Sequence, residues 1–225
     1  MDNQILKVIA EIHNPYSEKF GIPRQSGMIN SVVSKIVFKK EYSDINALRG
    51  IDGFSHLWLI WGFSKADKSD WSPTVRPPRL GGNKRLGVFA TRSPYRPNKI
   101  GLSSVKLIKS DFENGRNVLY VTGADILDGT PIFDIKPYLK FTDCHTDAVS
   151  GFADKTYGYK LNVVFLPETK EKINPLNLNS VTEIIAADPR PSYIEDDGRV
   201  YGISFGGQNI KFTVSGNTAS IIEVF

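Results

Sequence analysis

The stretch Phe54-Ser55-His56-Leu57-Trp58-Leu59-Ile60-Trp61-Gly62-Phe63 decides the fold class. It is almost wholly apolar and carries two tryptophans, so it reads as a strand covered on both faces. Working outward, Ile5–Ile12 is a short apolar-rich run closed by His13-Asn14-Pro15, and Val32–Phe38 mixes Val, Ile and Phe with Lys35, as a half-exposed strand does. Leu86–Thr91, Leu102–Ile108 and Val118–Thr122 continue the series, the last two flanking a turn at Glu113-Asn114-Gly115. Asp44–Leu48 reads as a short helix capped by Asp44. Beta-branched and aromatic residues dominate, and no helical stripe of sustained length occurs. The expected core is a mainly β, closed sheet or barrel.

Around Pro167–Pro175 the composition shifts towards Lys, Glu, Asn and Pro, which marks a linker. Beyond it Val181–Ala187 reads as a helix with Ser180 as N-cap, ended by Asp188-Pro189. Val200–Phe205, Ile210–Val214 and Ala219–Val224 read as three short strands joined by Gly206-Gly207 and Ser215-Gly216-Asn217. The expected organisation is therefore a barrel domain over residues 1–165 and a small α+β domain over 166–225. The small domain would pack on the barrel or form a dimer contact.

Composition narrows the function classes. With 225 residues, 40% hydrophobic and 11% aromatic, the chain can bury a substantial core. No apolar run approaches the ~20 residues of a membrane span, and Met1-Asp2-Asn3-Gln4 lacks a secretory pattern. The single cysteine, Cys144, excludes an internal disulfide framework. A soluble cytoplasmic protein is expected. The net charge is only +4, yet from Trp71 to Ser110 there is no acid, while Arg76, Arg79, Lys84, Arg85, Arg92, Arg96, Lys99, Lys106 and Lys109 all fall there. Interleaved with Gly and Pro, these cations have no nearby acids to pair with, and they suit the phosphates of a nucleic acid.

The common nucleotide-loop, zincin and nucleophile-elbow motifs are absent. With only His13, His56 and His145, a histidine-rich metal site is not expected. His56 lies in the apolar strand and reads as a satisfied core histidine. Cys144 and His145 are adjacent, and neighbours on a strand point to opposite faces, which argues against a nucleophile pair. What remains is a set of Gly/Pro/Arg segments at strand ends: Gly21-Ile22-Pro23-Arg24-Gln25-Ser26-Gly27, Val75-Arg76-Pro77-Pro78-Arg79, Gly87–Asn98, and Asp128-Gly129-Thr130-Pro131 followed by Asp134, Lys136, Pro137 and Tyr138. Prolines hold such arginines on a stiff backbone, ready to grip phosphate or carboxylate.

These segments, together with Thr74–Asn83 and Gly87–Gly101, resemble the TsaA-like or TrmO family from about Val8 to Tyr138, with the motifs in family order. The tail is similar to the small C-terminal domain of the bacterial members, most closely at Ala187–Tyr193. The resemblance implies a β-barrel methyltransferase outside the Rossmann type. It implies S-adenosylmethionine as cofactor, a homodimer, and as substrate the N6 of threonylcarbamoyl-adenosine at position 37 in the tRNA anticodon arm. By position, the cofactor pocket would fall on Pro23, Arg24, Gln25, Ser64, Lys65, Arg92, Leu102, Gly129, Thr130, Pro131 and Ile132. Ser64-Lys65 stands where the family often has His-Gln, and Lys99 also departs from the commoner family text.

The N6 of that nucleoside is a ureido nitrogen, so loss of its proton restores nucleophilicity. Asp128 or Asp134 is expected to accept that proton, with Lys136 and Tyr138 orienting the carbamoyl oxygen. The rival reading has these carboxylates cap the turn or pair with Lys136 or Arg92. Arg76, Arg79, Arg85 and Arg96 are expected to meet RNA phosphates or the threonyl carboxylate. From another class, the alternative is a barrel that binds RNA without catalysing anything.

Overall fold

A computed structural model describes residues 5–65, 71–77, 80, 84–156, 158–190 and 198–225. Twelve strands are described: β1 (Ala10–His13), β2 (Val33–Phe38), β3 (His56–Gly62), β4 (Thr74–Val75), β5 (Leu86–Gly87), β6 (Ile100–Glu113), β7 (Arg116–Thr122), β8 (Thr130–Pro137), β9 (Asn162–Phe165), β10 (Tyr201–Phe205), β11 (Gln208–Ser215) and β12 (Thr218–Val224). Three α-helices accompany them: α1 (Lys140–Asp143), α2 (Pro167–Lys172) and α3 (Leu178–Ala186). Six strands close into an antiparallel barrel in the order β1-β2-β7-β6-β3-β8. A second sheet runs β10-β11-β12-β9, with β9 parallel to β12.

Alternation along the strands makes the barrel. In β3 the inward Leu57, Leu59 and Trp61 are buried with Ile12, Ile36, Leu119, Val121 and Ile132. The outward Trp58 and Ile60 are only half-buried, so β3 is covered on one face rather than two. Gly101 opposes Trp61 on β6, and a Cβ there would come within 2.3 Å of the indole. The small residue is what lets Trp61 turn inward.

Topology also gathers the loops. The connections β1–β2, β3–β6 and β7–β8 all emerge at one end of the barrel. These are the connections that carry Pro23–Gln25, Ser64 to Lys99, and Asp128–Gly129. The opposite end carries the tight β6–β7 turn, where Asn114 and Gly115 adopt positive φ.

Several expectations need correction. The first strand starts at Ala10, and Ile5 and Leu6 before it are exposed. Leu86–Thr91 is a strand only over Leu86–Gly87, after which Val88–Ala90 forms a 3-10 turn that buries Val88 and turns Phe89 outward. The segment from Thr130 to Pro137, read as a turn followed by a polar cluster, is the strand that closes the barrel. Asp44 does cap a short 3-10 helix, accepting the Asn46 N–H at 2.8 Å. Ser180 is not a cap: it lies buried inside α3, whose first turn begins beyond Asn177. The 167–175 linker contains α2, and β9, upstream of residue 166, belongs to the second sheet.

The β1–β2 connection is shared between the two sheets. Tyr16, Ile29 and Val32 are buried in the same core as Val181, Ile185, Phe205 and Phe212. Tyr16 bridges to Phe205 through the backbone, the Glu18 carboxylate accepts the Ser204 N–H at 2.7 Å, and Ser31 Oγ donates to Glu183 at 2.7 Å. Replacing Gly101 tests the barrel packing. Gly101→Ala is expected to lower the stability by about 1–3 kcal/mol in urea unfolding, because Trp61 must leave its inward rotamer.

Candidate functional site

The three loops at the open end are tied to one another. Where β7 ends at Thr122, the β1–β2 connection takes over its pairing: the Gly27 N–H donates to the Gly123 carbonyl at 2.9 Å, and the Ser104 N–H of β6 donates to Ser26 Oγ at 3.2 Å. The Arg92 guanidinium donates to the Gln25 side-chain carbonyl, and the Lys19 ammonium to the Lys65 carbonyl. Gln25, Lys65 and Arg92, which sequence reasoning placed in one pocket, thus belong to one hydrogen-bonded assembly. Ser64 stands beside Lys65 in the exposed turn after β3.

The assembly rests on a carboxylate that sequence reasoning missed. Asp125 accepts a hydrogen bond from Ser103 Oγ, which in turn accepts one from Trp61 Nε1 at 2.9 Å. Burial raises the Asp125 carboxyl above the usual aspartate range, opposed by the Ser103 hydroxyl, backbone N–H groups that include Ser26, and the Arg92 charge. A signal was present: Asp125 is the one charged residue between Tyr120 and Leu127. Its placement fixes the height of the Ser26 loop over β6.

Other expected pocket residues divide by the direction of their side chains. Thr130 and Ile132 point into the barrel and are buried, so a ligand can meet only their backbone. Pro131 lies on the outward side, next to the position of Gly62. Gly129 supplies the left-handed residue of the turn, at φ 71°. The Arg24 guanidinium reaches the carbonyls of Asp188 (3.1 Å) and Arg190, at the end of α3. That side chain ties the loop to the second sheet's unit.

From the loops the site continues onto the outer wall of the barrel. Leu102, Ile60 and Asp134 lie side by side across β6, β3 and β8, and Ser104, Trp58 and Lys136 form the next row. Tyr138 follows, its ring 5.5 Å from that of Trp58 and 6.1 Å from His56. A bulge between Ile132 and Asp134 reverses the faces of β8, so Asp134 and Lys136 point outward where Thr130 and Ile132 point inward, and Tyr138 follows just beyond the strand. A span of two strands places Asp134 roughly 10 Å from Leu102. Asp134 and Lys136 form an ion pair at 3.0 Å, and burial with the neighbouring Cys144 and Asp143 raises the Tyr138 phenol, which keeps it a proton donor.

Asp128 stands apart from this face. One of its oxygens accepts the Asn14 N–H at 3.0 Å and lies 3.5 Å from His13 Nδ1, so it caps the turn after β1. Among the expected RNA contacts, Arg76 and Arg85 are exposed, Arg85 donates to Thr74 Oγ1, and Arg96 donates to the Thr91 carbonyl. Arg79 lies outside the described residues. His56 is half-buried, with Ser55 Oγ 2.9 Å from its Nδ1.

A closed antiparallel barrel with its motif loops at one end is a class distinct from the parallel-sheet nucleotide binders. Residues 11–144 match the model of the tRNA-methyltransferase O N-terminal domain, and residues 158–225 match that of the TrmO C-terminal domain. The chain is 40% identical to the tRNA (adenine(37)-N6)-methyltransferase of Escherichia coli, over 96% of this chain and 94% of that one. It is 43% identical to the protein of the same name from Eikenella corrodens, over 76% of this chain and 97% of that one. A crystal structure of TrmO superimposes with a TM-score of 0.81 at 29% identity, covering 99% of both chains. Another, from Pseudomonas aeruginosa, gives 0.79 at 28% identity over the whole of both. The chain belongs to the TrmO family.

Two measurements test this architecture. Because Asp125 binds its proton more tightly folded than unfolded, its contribution to stability is fullest at acid pH. That contribution falls as pH rises from the unfolded value of about 3.9 through the folded one. In thermal unfolding, the midpoint of Asp125→Asn is accordingly expected to gain on wild type as pH rises above about 4. Arg24→Ala should lose about 1–3 kcal/mol in urea, the magnitude of charged hydrogen bonds to carbonyls.

Proposed function

We propose that the chain transfers a methyl group from S-adenosylmethionine to N6 of threonylcarbamoyl-adenosine at position 37 of tRNA, with Asp134 as the proton acceptor. The family and the relatives make it an S-adenosylmethionine-dependent tRNA (adenine-N6)-methyltransferase. The observation that supports the finer reading is the row Leu102–Ile60–Asp134, which sets a carboxylate on the same wall as an expected cofactor contact.

The residues present fit the cofactor. Ile100 and Leu102 offer exposed apolar surface at the top of the wall, and the loop that docks on β6 through Ser26 carries the Gln25 amide bonded to the Arg92 guanidinium. An apolar surface beside a cation suits a group that carries both a purine and a carboxylate. When bound, it supplies a methyl group on a positively charged sulfur, a leaving group that needs no activation. What the chain must add is alignment and a nucleophile.

Asp134 would take the N6 proton as the nitrogen attacks. Lys136, paired to it at 3.0 Å, would hold the carboxylate in place and face the carbamoyl oxygen with its ammonium. Tyr138, one step further along the wall, would donate a hydrogen bond to the same substituent. Asp128, committed to Asn14 and His13, serves the turn. Arg76, Arg85 and Arg96 would meet the phosphates of the anticodon arm. A homodimer that covers the exposed wall, and a cytoplasmic location, complete the proposal; no helix among the described residues is long and apolar enough to cross a membrane.

The deciding measurement is mass spectrometry of tRNA incubated with the enzyme and S-adenosylmethionine, with and without prior threonylcarbamoylation. Methylation is expected only in the first case. Asp134→Asn should slow single-turnover transfer about 100-fold or more, with cofactor affinity kept. Normal turnover in that variant would exclude Asp134 as the acceptor.

A further inference from the structure

The β3–β6 connection presents an exposed pair of aromatic rings for which the cofactor wall has no use. Trp71 and Phe89 lie nearly parallel, at 26°, with centroids 6.4 Å apart, and they are 50% and 70% exposed. The Arg96 guanidinium carbon lies 5.8 Å from the Phe89 ring centre, and Tyr95 is exposed beside it. This is a built surface rather than a loose loop. The Val88 N–H donates to the Pro73 carbonyl at 2.9 Å, Thr91 Oγ1 donates to the Val88 carbonyl at 2.8 Å, and β4 pairs with β5 beneath. Val88 is buried as the anchor of the turn that turns Phe89 out.

A large ring held rigidly in water costs free energy unless a partner covers it. The chemistry around it selects the partner. The segment from Trp71 to Ser110 has nine cations and no acid. Lys84, Arg85 and Arg92, on either side of Phe89 in the chain, are exposed. An apolar protein partner has no use for such a field, whereas a nucleic-acid strand offers both phosphates for the cations and flat bases for the rings. A base-paired stem hides its base faces, so the match is to unpaired nucleotides. Phe89 also lies three residues before Arg92, which is bonded to the cofactor loop through Gln25. A nucleotide stacked there would sit beside the reacting one.

We propose that Trp71, Phe89 and Arg96 form a stacking platform for an unpaired anticodon-loop base adjacent to the target adenosine. The proposal rests on the tRNA reading above and adds to it the site that tells loop from stem.

The test compares the full chain with Phe89→Ala, Phe89→Leu and Phe89→Trp. The probes are a fluorescent 17-nucleotide anticodon stem-loop and a blunt RNA duplex of the same stem. Phe89→Ala and Phe89→Leu should each weaken stem-loop binding about tenfold, the scale of one lost base–aromatic stack. Duplex binding and S-adenosylmethionine affinity should stay as in wild type, and Phe89→Trp should restore the loop preference. The slope of log Kd against log salt should not change, because no charge is removed. Equal stem-loop affinity in wild type and Phe89→Ala overturns the platform, as does a Phe89→Leu variant that binds like wild type. A shift in sedimentation of Phe89→Ala towards smaller species, with RNA affinity kept, overturns it in favour of a contact between two copies. The outcomes also separate from the underlying activity. Loop-selective binding lost in Phe89→Ala supports the platform even if no methylation were seen, and methylation with no loop selectivity overturns the platform alone.

Discussion

The burial of Tyr16, Ile29 and Val32 in the core of the C-terminal unit is the constraint on which the rest depends. These residues belong to the β1–β2 connection, which also carries Arg24, Gln25, Ser26 and Gly27. A loop of this length tied only at its ends would sample many shapes. Each large apolar side chain buried contributes roughly 1.5–3 kcal/mol, so three of them hold the loop against that entropy. The barrel then receives a loop already shaped, and Ser26 and Gly27 dock where β7 leaves off. Gln25 is fixed by this docking, and through Gln25 so is Arg92. The second unit thus bears on the site through the loop it holds.

The inner half of the molecule was legible in the sequence because burial leaves a strong pattern. Phe54–Phe63 and Val32–Phe38 announce strands through their apolar density, and the three C-terminal strands through their glycine turns. What failed was the segment that carries most of the proposed site. Residues 130–137 hold prolines at 131 and 137, which weaken a strand signal, yet both fall near the ends of β8, where a missing N–H is tolerated. Even with the segment known to be a strand, plain alternation would turn Asp134 inward with Thr130 and Ile132; the bulge between Ile132 and Asp134 reverses the faces and sets Asp134 and Lys136 outside. Asp128, two residues before the strand, is excluded from that face. The same logic explains Arg24: its place in a motif was visible, but the carbonyls it grips at Asp188 and Arg190 lie more than 160 residues away in the chain.

Asp125 shows how a neutral-looking segment hides a constraint. One carboxylate in an apolar run is costly unless something binds it. Here the Ser103 hydroxyl and the Ser26 backbone meet it, and Trp61 closes the chain of bonds from within the barrel. Gly101 makes room for Trp61, so a glycine on β6 and an aspartate after β7 are parts of one device. Its product is the height and angle of the loop that would hold a cofactor.

An outer-wall site raises a demand that an interior site does not. The barrel interior is filled by Leu57, Leu59, Trp61, Val105 and Ile132, so no ligand can enter it. On the proposed wall Leu102 is 56% exposed, and transfer to a weakly nucleophilic nitrogen would gain from excluding water. Three covers are available in principle: the β3–β6 connection, the RNA, and a second copy of the chain. The connection reaches the loop end, where Arg92 meets Gln25, but Lys136 and Tyr138 lie further down the wall. In the proposed reading, closing that lower part would fall to the RNA and a second copy together. Catalysis would then require the assembled complex, and a small nucleoside would leave the wall wet. This is a physical reason for an enzyme of this architecture to prefer its target within a folded tRNA.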